Sequence, residues 1–126
     1  MKIRNSKTNK VSDVRLPKAF KKKWLEALRS GKFEQAKRVL FSNGGGYCCL
    51  GVACRVAHPK MDIINKGFMD KDDFGKKLKN IKVPNILKGS NNTMDEDYNP
   101  IVDKLSTMND DGKSFKMIAS YIEKNL

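Results

Sequence analysis

Apolar residues recur at helical spacing in the N-terminal third of the chain. Pro17 suits the first turn of a helix, and Gly31 suits the position just past its end. Between them one stripe is apolar, formed by Phe20, Trp24, Ala27 and Leu28. The residues off this stripe are cationic: Lys21, Lys22, Lys23 and Arg29. The pattern predicts a helix with a buried aromatic side and an exposed positive side.

The C-terminal part has the same spacing twice. Residues 101–108 carry apolar side chains at Ile101, Val102, Leu105 and Met108. Residues 109–112 (NDDG) are typical of a turn. Ser114 then suits the N-cap of a final helix, whose stripe is Phe115, Ile118, Ala119, Ile122 and Leu126.

Residues 47–57 (YCCLGVACRVA) are nearly all small and apolar. We interpret them as a buried helix that His58-Pro59 ends, since a residue before proline avoids the helical region. A buried strand is the alternative. Upstream, residues 33–41 favour a helical turn that leads into a short strand (RVLF), and residues 43–46 (NGGG) form a turn.

The remaining segments have less regular patterns. Residues 1–13 are polar and basic, which is typical of a flexible arm or a short edge strand. Within 60–100, short helices at 70–78 and 83–88 and a loop at 89–99 are expected. Together the patterns predict one domain over 1–126, of the α+β class. It is mainly helical, with a small antiparallel strand component around 33–47.

Charge is concentrated at one end of the chain. Residues 1–40 hold 13 Lys/Arg and three acids, a net +10 of the +12 total. Such a field attracts phosphate-bearing partners, and salt weakens the attraction. A Lys-rich solubilising surface is the alternative explanation. The Trp-bearing stripe and the apolar 47–57 segment contain a large amount of apolar surface for a chain of 126 residues. A homo-oligomer, which would bury part of it, is therefore also expected.

The sequence indicates a cytoplasmic protein. No stretch has the length of a transmembrane span, and no apolar run follows the basic N-terminus as in a signal peptide. Three cysteines, two of them adjacent, argue against a disulfide framework. A reducing compartment therefore fits best.

No set of residues indicates catalysis or a resident metal or cofactor. Cys48, Cys49 and Cys54 crowd one segment near His58, which lacks the spacing of a zinc site. His58 lies too far along a helix to activate Cys48, so packed core thiols are expected. The acidic clusters at 70–73, 95–97 and 110–111 lack the pattern of a calcium loop, and nothing supports paired carboxylates for glycoside cleavage.

Basic and glycine residues offer a different chemistry. A glycine turn that leads into a helix presents free N–H groups to an anion, although a plain hairpin turn is the alternative. Arginine binds two phosphate oxygens at once, and a tyrosine ring can stack on a base. Arg55, inside the apolar segment, needs either a salt bridge to a loop acid or a phosphate. The expected ligand-binding residues are Arg29, Lys37, Arg38, Gly44, Gly45, Gly46, Tyr47, Arg55 and Asn109.

Two blocks of the chain resemble a widespread family of small phage-encoded proteins. They are 21–57, with the strings W-x-x-A-L-R-S-G and Y-C-C-L-G-V, and 105–123 (LSTMNDDGKSFKMIASYIE). The chain departs from the family's usual form at Ala53 and Arg55, where Leu and Asp are expected. The chain is also similar to the sponges that sequester the cyclic oligonucleotide signals of bacterial CBASS immunity. The resemblance implies immune evasion inside an infected bacterium, an oligomer and no catalysis.

The main hypothesis is therefore capture of a cyclic di- or oligonucleotide, such as cyclic GMP-AMP, without degradation. The alternative is a basic nucleic-acid-binding or anti-CRISPR-type inhibitor protein, which rests on the charge of residues 1–40. An enzyme that degrades a signal nucleotide is the weakest hypothesis, because one histidine and no nucleophile constellation support it.

Overall fold

The computed structural model describes residues 1–5, 8–39, 42, 45–59, 82–87 and 99–126. The helices are α1 (Lys18–Arg29), α2 (Cys49–Ala57), α3 (Pro100–Asp110) and α4 (Phe115–Asn125), with a 3-10 turn at Asn85–Leu87. The strands are β1 (Lys2–Arg4), β2 (Val11–Asp13), β3 (Glu34–Gln35) and β4 (Gly46–Tyr47). The predicted class, α+β and mainly helical, is confirmed.

The helices begin and end at the residues that predicted them. α1 follows Pro17, and Gly31 adopts the left-handed conformation (φ 75°) just past its end. α2 ends at His58, before Pro59. The Ser114 hydroxyl accepts a hydrogen bond from Met117 N (3.2 Å) and caps α4.

The predicted turn at 109–112 begins later than expected, because α3 continues to Asp110. Gly112 has a φ of 90°, Lys113 N donates to Met108 O (3.0 Å), and Gly112 N donates to Asn109 O (3.2 Å). This pair of hydrogen bonds is a Schellman ending, which satisfies the last carbonyls of the helix.

The strands differ from the prediction in place and direction. β1 and β2 form the antiparallel pair, whereas β3 and β4, within 33–47, run parallel. The chain turns at Arg38, which is left-handed (φ 67°), and again where Ser42 N donates to Gly46 O (2.9 Å). Two changes of direction leave β3 and β4 pointing the same way. The expected helical turn near residue 33 is therefore wrong, and residues 38–39 of the RVLF run are not in a strand.

The N-terminal residues form a hairpin of β1 and β2. Ile3 and Val14 are buried against the helices, and Asn9 takes a left-handed conformation (φ 56°) in the connection. Asn tolerates that conformation better than most residues. The Met1 ammonium donates to Asp13 Oδ1 (3.0 Å) and to Val14 O (2.9 Å). Of the two structures expected for residues 1–13, a flexible arm or a short strand, residues 2–4 and 11–13 therefore form strands.

The core lies where α1 packs on α4 and α2, and α2 packs on α3. Trp24 is 0% exposed, and its indole Nε1 donates to Cys49 O (3.0 Å). All of Cys49–Cys54 is buried, which confirms the buried helix. The apolar stripe of α1 and the apolar helix α2 are thus covered within one chain. A homo-oligomer stays a prediction, but those surfaces no longer argue for it.

Most of residues 60–100 lie outside the described part. The predicted helix at 70–78 and most of the loop at 89–99 fall there. In the predicted helix at 83–88, the structure has a single 3-10 turn, Asn85–Leu87. Among the described residues, no helix is long and apolar enough to cross a bilayer.

Candidate anion-binding site

Tyr47 contacts both Phe33 and Arg55, and we call these three residues the aromatic–guanidinium cluster. The Tyr47 ring packs edge-on against Phe33, with 5.2 Å between ring centroids. Arg55 Nη2 donates to the Tyr47 hydroxyl (3.4 Å), and Arg55 Nη1 donates to Pro59 O (3.3 Å). All three side chains are half-buried. An aromatic ring and an oriented guanidinium therefore lie side by side.

Arg55 lies in the last turn of α2, where the carbonyl end of the helix dipole favours a cation. The predicted salt bridge to a loop acid involves clusters at 70–73 and 95–97 that lie outside the described residues. Asp110, from the third cluster, instead accepts a hydrogen bond from Arg38 N.

The glycine turn does not open onto a helix N-terminus. Gly44 lies outside the described residues, and Gly45 is an exposed turn residue with a φ of 92°. Gly46 is buried in β4, where a Cβ would lie 2.9 Å from Ala36 Cβ. The glycine at 46 therefore permits close packing of two chain segments. Because α2 begins at Cys49 and not at Tyr47, the described glycines, Gly45 and Gly46, do not lead directly into the helix.

Side chains accept hydrogen bonds from backbone N–H groups at the N-terminus of α2. Cys48 Sγ accepts from Gly51 N (3.4 Å), and Asn109 Oδ1 accepts from Cys49 N (3.3 Å). Both thiols at this end are buried. These N–H groups are thus already satisfied and do not face a ligand.

Asn109 is 0% exposed and joins three segments. Its Oδ1 also accepts from Gln35 Nε2 (2.9 Å), and its Nδ2 donates to Ala36 O (2.7 Å). These bonds, with the one to Cys49, use both ends of the amide. Asn109, predicted as a ligand contact, therefore has a structural role: it holds β3 against α2 and the end of α3.

Lys37 and Arg38 follow β3 and are both exposed. Arg38 N donates to Asp110 Oδ1 (2.8 Å). A Cβ on Gly112 would lie 3.5 Å from Lys37 Nζ, so this ammonium lies beside the end of α3. The 36–38 segment is thus fixed by α3 through its backbone.

The comparisons with known proteins give one family. A family model described as "Domain of unknown function (DUF8296)" matches residues 16–126. The chain belongs to the DUF8296 family. No curated protein and no solved structure matches it. Within this DUF8296 chain, the matched region contains the aromatic–guanidinium cluster and Asn109, and it begins after the β1–β2 hairpin.

The side chain of Arg29, another predicted ligand residue, contacts α4. Its Nη2 forms an ion pair with Glu123 Oε2 of α4, and that hydrogen bond lowers the pKa of the Glu123 carboxyl. Lys21 Nζ donates to the Glu123 carbonyl (3.0 Å). Arg29 is thus part of the contact between α1 and α4 in this DUF8296 chain.

Phe33, Gln35 and Asp110 were not among the predicted ligand-binding residues. Phe33 and Gln35 alternate with exposed Glu34, and this alternation was the available signal. The structural roles of Asp110 and Asn109 gave no local signal, because their hydrogen-bond partners lie 60 to 74 residues away in the DUF8296 sequence.

The three cysteines of the DUF8296 chain are free and buried, which confirms them as packed core thiols. Burial raises the pKa of Cys48 to about 11 and of Cys54 to about 12, and it raises the pKa of Cys49 as well. His58 Nε2 accepts from Lys82 N (2.8 Å). Among the described residues, no group of three or more His, Cys, Asp or Glu could hold a metal ion.

These raised thiol pKa values predict a loss of stability at high pH. An unfolded thiol ionises near pH ~8.5, whereas folding keeps Cys54 protonated up to a pKa of about 12. The contribution of the thiols to the free energy of unfolding should be constant below pH ~8.5 and fall as pH rises above it, by up to ~1.4 kcal/mol per pH unit and thiol. Urea titrations at pH 7.5, 9 and 10 test this.

The matched variant is Cys54→Ala, which removes one titrating thiol and leaves every lysine and tyrosine in place. We expect its stability to fall less steeply between pH 9 and 10 than that of the wild type. Equal slopes for the two proteins would contradict the assignment of the pH dependence to the buried thiols.

Proposed function

We propose that this chain captures a phosphate-bearing nucleotide, a cyclic di- or oligonucleotide such as cyclic GMP-AMP, without cleaving it. It would act in the cytoplasm of a phage-infected bacterium as an immune-evasion protein, and as a homo-oligomer. The observation that carries the proposal is the hydrogen bond between Arg55 and the Tyr47 hydroxyl beside the Phe33 ring. It joins an aromatic face to an oriented guanidinium.

This pairing suits the two parts of a nucleotide. A guanidinium binds two phosphate oxygens through parallel hydrogen bonds, which are stronger than neutral ones. An aromatic ring stacks on a base, an interaction worth about 1–3 kcal/mol per base. Tyr47 and Arg55 are half-buried, so each keeps some exposed surface while its orientation is restricted. Restricting both side chains before binding lowers the entropic cost of capture.

The charge of the chain supports an anionic ligand. The net charge is +12, and residues 1–40 contribute +10 of it. Such a field raises the rate at which an anion meets the surface, and salt screens it. Binding would then weaken with added salt, while stacking on Tyr47 would leave a component that does not depend on salt.

The buried thiols favour binding over covalent chemistry at the described cysteines. Thiolate is the nucleophilic form, and burial raises the pKa of Cys48 to about 11. At neutral pH this thiol is protonated and enclosed by the core. Capture by mass action requires no such nucleophile, only abundance and tight binding.

The proposal predicts that Arg55→Gln weakens binding of cyclic GMP-AMP by about tenfold or more, because a charged hydrogen bond is lost. Isothermal titration with a panel of cyclic dinucleotides measures this. The control is Arg15→Gln, an exposed arginine paired with Asp13 in the part of the chain before the matched region. It changes the net charge equally and should alter affinity less than twofold.

Three results would count against this proposal. No heat with any dinucleotide at micromolar protein would exclude capture. Equal losses for both arginine variants would indicate attraction by net charge alone. Recovery of hydrolysed rather than intact ligand after denaturation would indicate an enzyme. Light scattering coupled to size-exclusion chromatography, with and without ligand, tests the predicted oligomer.

Nucleic-acid binding is the second candidate, favoured by α1. Lys18, Lys22 and Lys23 are exposed on this helix, and none of them forms an ion pair with a described residue. Lys18 and Lys22 lie one turn apart, where like charges repel unless an anion lies between them. Tight binding of duplex DNA with a steep salt dependence, and no response to cyclic dinucleotides, would favour this candidate.

A further inference from the structure

Arg38 has a backbone conformation that side chains rarely adopt. Its φ is 67°, in the left-handed region, which favours glycine and tolerates asparagine. Among the described residues, Asn9 is the other non-glycine residue with a positive φ, and it is of the tolerated type. Local strain of this kind persists only where the surroundings hold it.

The surroundings that hold Arg38 come from the end of α3. Asp110 Oδ1 accepts from Arg38 N at 2.8 Å, and Asn109 Nδ2 donates to Ala36 O at 2.7 Å. Gln35 Nε2 donates to Lys113 O at 2.7 Å. These bonds, which we call the 35–38 clamp, fix the chain from Gln35 up to the N–H group of the strained residue.

The Arg38 side chain does nothing comparable for the fold. It is exposed, and its guanidinium forms no hydrogen bond or ion pair in the described part of the chain. Its neighbour Lys37 differs, because the Lys37 ammonium lies beside the carbonyl end of α3, which favours a cation. Folding alone would thus be served better by glycine at position 38.

We propose that Arg38 contacts a phosphate of the ligand and that Asp110 is the positioning residue that holds it in place. The inference rests on the proposed function and adds a second phosphate contact to that of Arg55. A clamped backbone limits the directions in which the guanidinium can extend, so binding has less entropy to lose. The strain would be retained because glycine, which relieves it, has no side chain to contact the phosphate.

The test combines titration of cyclic GMP-AMP with thermal unfolding. Arg38→Gly should bind about tenfold more weakly or worse, yet unfold at an equal or higher temperature, by roughly 1–3 °C. Asp110→Ala should weaken binding, whereas Asp110→Asn, which keeps an acceptor oxygen, should retain it. In the Arg38→Gly background, Asp110→Ala should have no further effect on affinity.

The outcomes separate this inference from the proposed function. If Arg38→Gly binds like the wild type, or unfolds at a lower temperature, the role of Arg38 is overturned while the dependence on Arg55 stands. Equal weakening by Asp110→Ala and Asp110→Asn would overturn the positioning role. If the wild type binds no dinucleotide in the panel, both proposals fail together.

Discussion

Replacing Trp24 with alanine should lower the free energy of unfolding by about 3–5 kcal/mol. The side chain is 0% exposed at the contact of α1 with α2, and no small residue can fill the space it leaves. Its Nε1 also donates to Cys49 O (3.0 Å), so one hydrogen bond is lost with the ring. Since domains of this size are stable by about 5–15 kcal/mol, the variant should lose a large fraction of its total stability.

Urea unfolding followed by far-UV circular dichroism measures this effect without relying on the fluorescence of the one tryptophan. Trp24→Phe keeps most of the volume and removes the donor, so we expect a smaller loss, roughly 1–2 kcal/mol. Met117→Ala, at a position 52% exposed, should change stability by less than ~0.5 kcal/mol. A loss below ~1.5 kcal/mol for Trp24→Ala would contradict the packing described for the core.

Replacing Asn109 with alanine should cost about 2–4 kcal/mol of the free energy of unfolding and abolish the proposed capture of cyclic GMP-AMP. The change leaves the buried N–H of Cys49 and the carbonyl of Ala36 without their partner, and Gln35 loses one acceptor. An unpaired buried polar group costs its full desolvation, which exceeds the net value of the bond. The 35–38 clamp would loosen at the same time.

Two further variants sharpen the test of Asn109. Asn109→Asp keeps the size and one acceptor but sets a carboxylate oxygen against Ala36 O, so it should be at least as damaging as alanine. Thr107→Ala, exposed on the same helix, should be nearly neutral. If Asn109→Ala loses less than ~1 kcal/mol, water replaces the amide and the structural role assigned to it is wrong.

The helices could be predicted because their signals are local. The stripe that contains Trp24, the caps at Pro17 and Ser114 and the stop at His58-Pro59 each lie within a few residues of the element they define. The predicted apolar stripe of α4 is buried throughout. In α1, Trp24 and Leu28 of the predicted stripe are buried, but so is Leu25, which lies outside it. Local evidence also favoured the buried helix α2, because its side chains lack the period-2 alternation of a strand.

The strands and the candidate site could not be predicted in the same way. β3 and β4 have two residues each, too few for a period to show, and their parallel direction depends on two turns between them. Asn109 begins the NDDG string, which is typical of a turn. Its hydrogen-bond partners are distant in sequence, so the string could not reveal its structural role. The left-handed conformation of Arg38 could not be predicted from its residue type, since arginine rarely adopts that conformation.

The 35–38 clamp has a consequence for the order of events during protein synthesis. Its hydrogen bonds join residues 72 to 78 positions apart, so the strained segment lacks this clamp until Lys113 has left the ribosome. Contacts of such long range form late, because closing a long loop precedes any gain from them. A nascent chain would therefore reach the clamped conformation of residues 35–38 only after α3 has been synthesised.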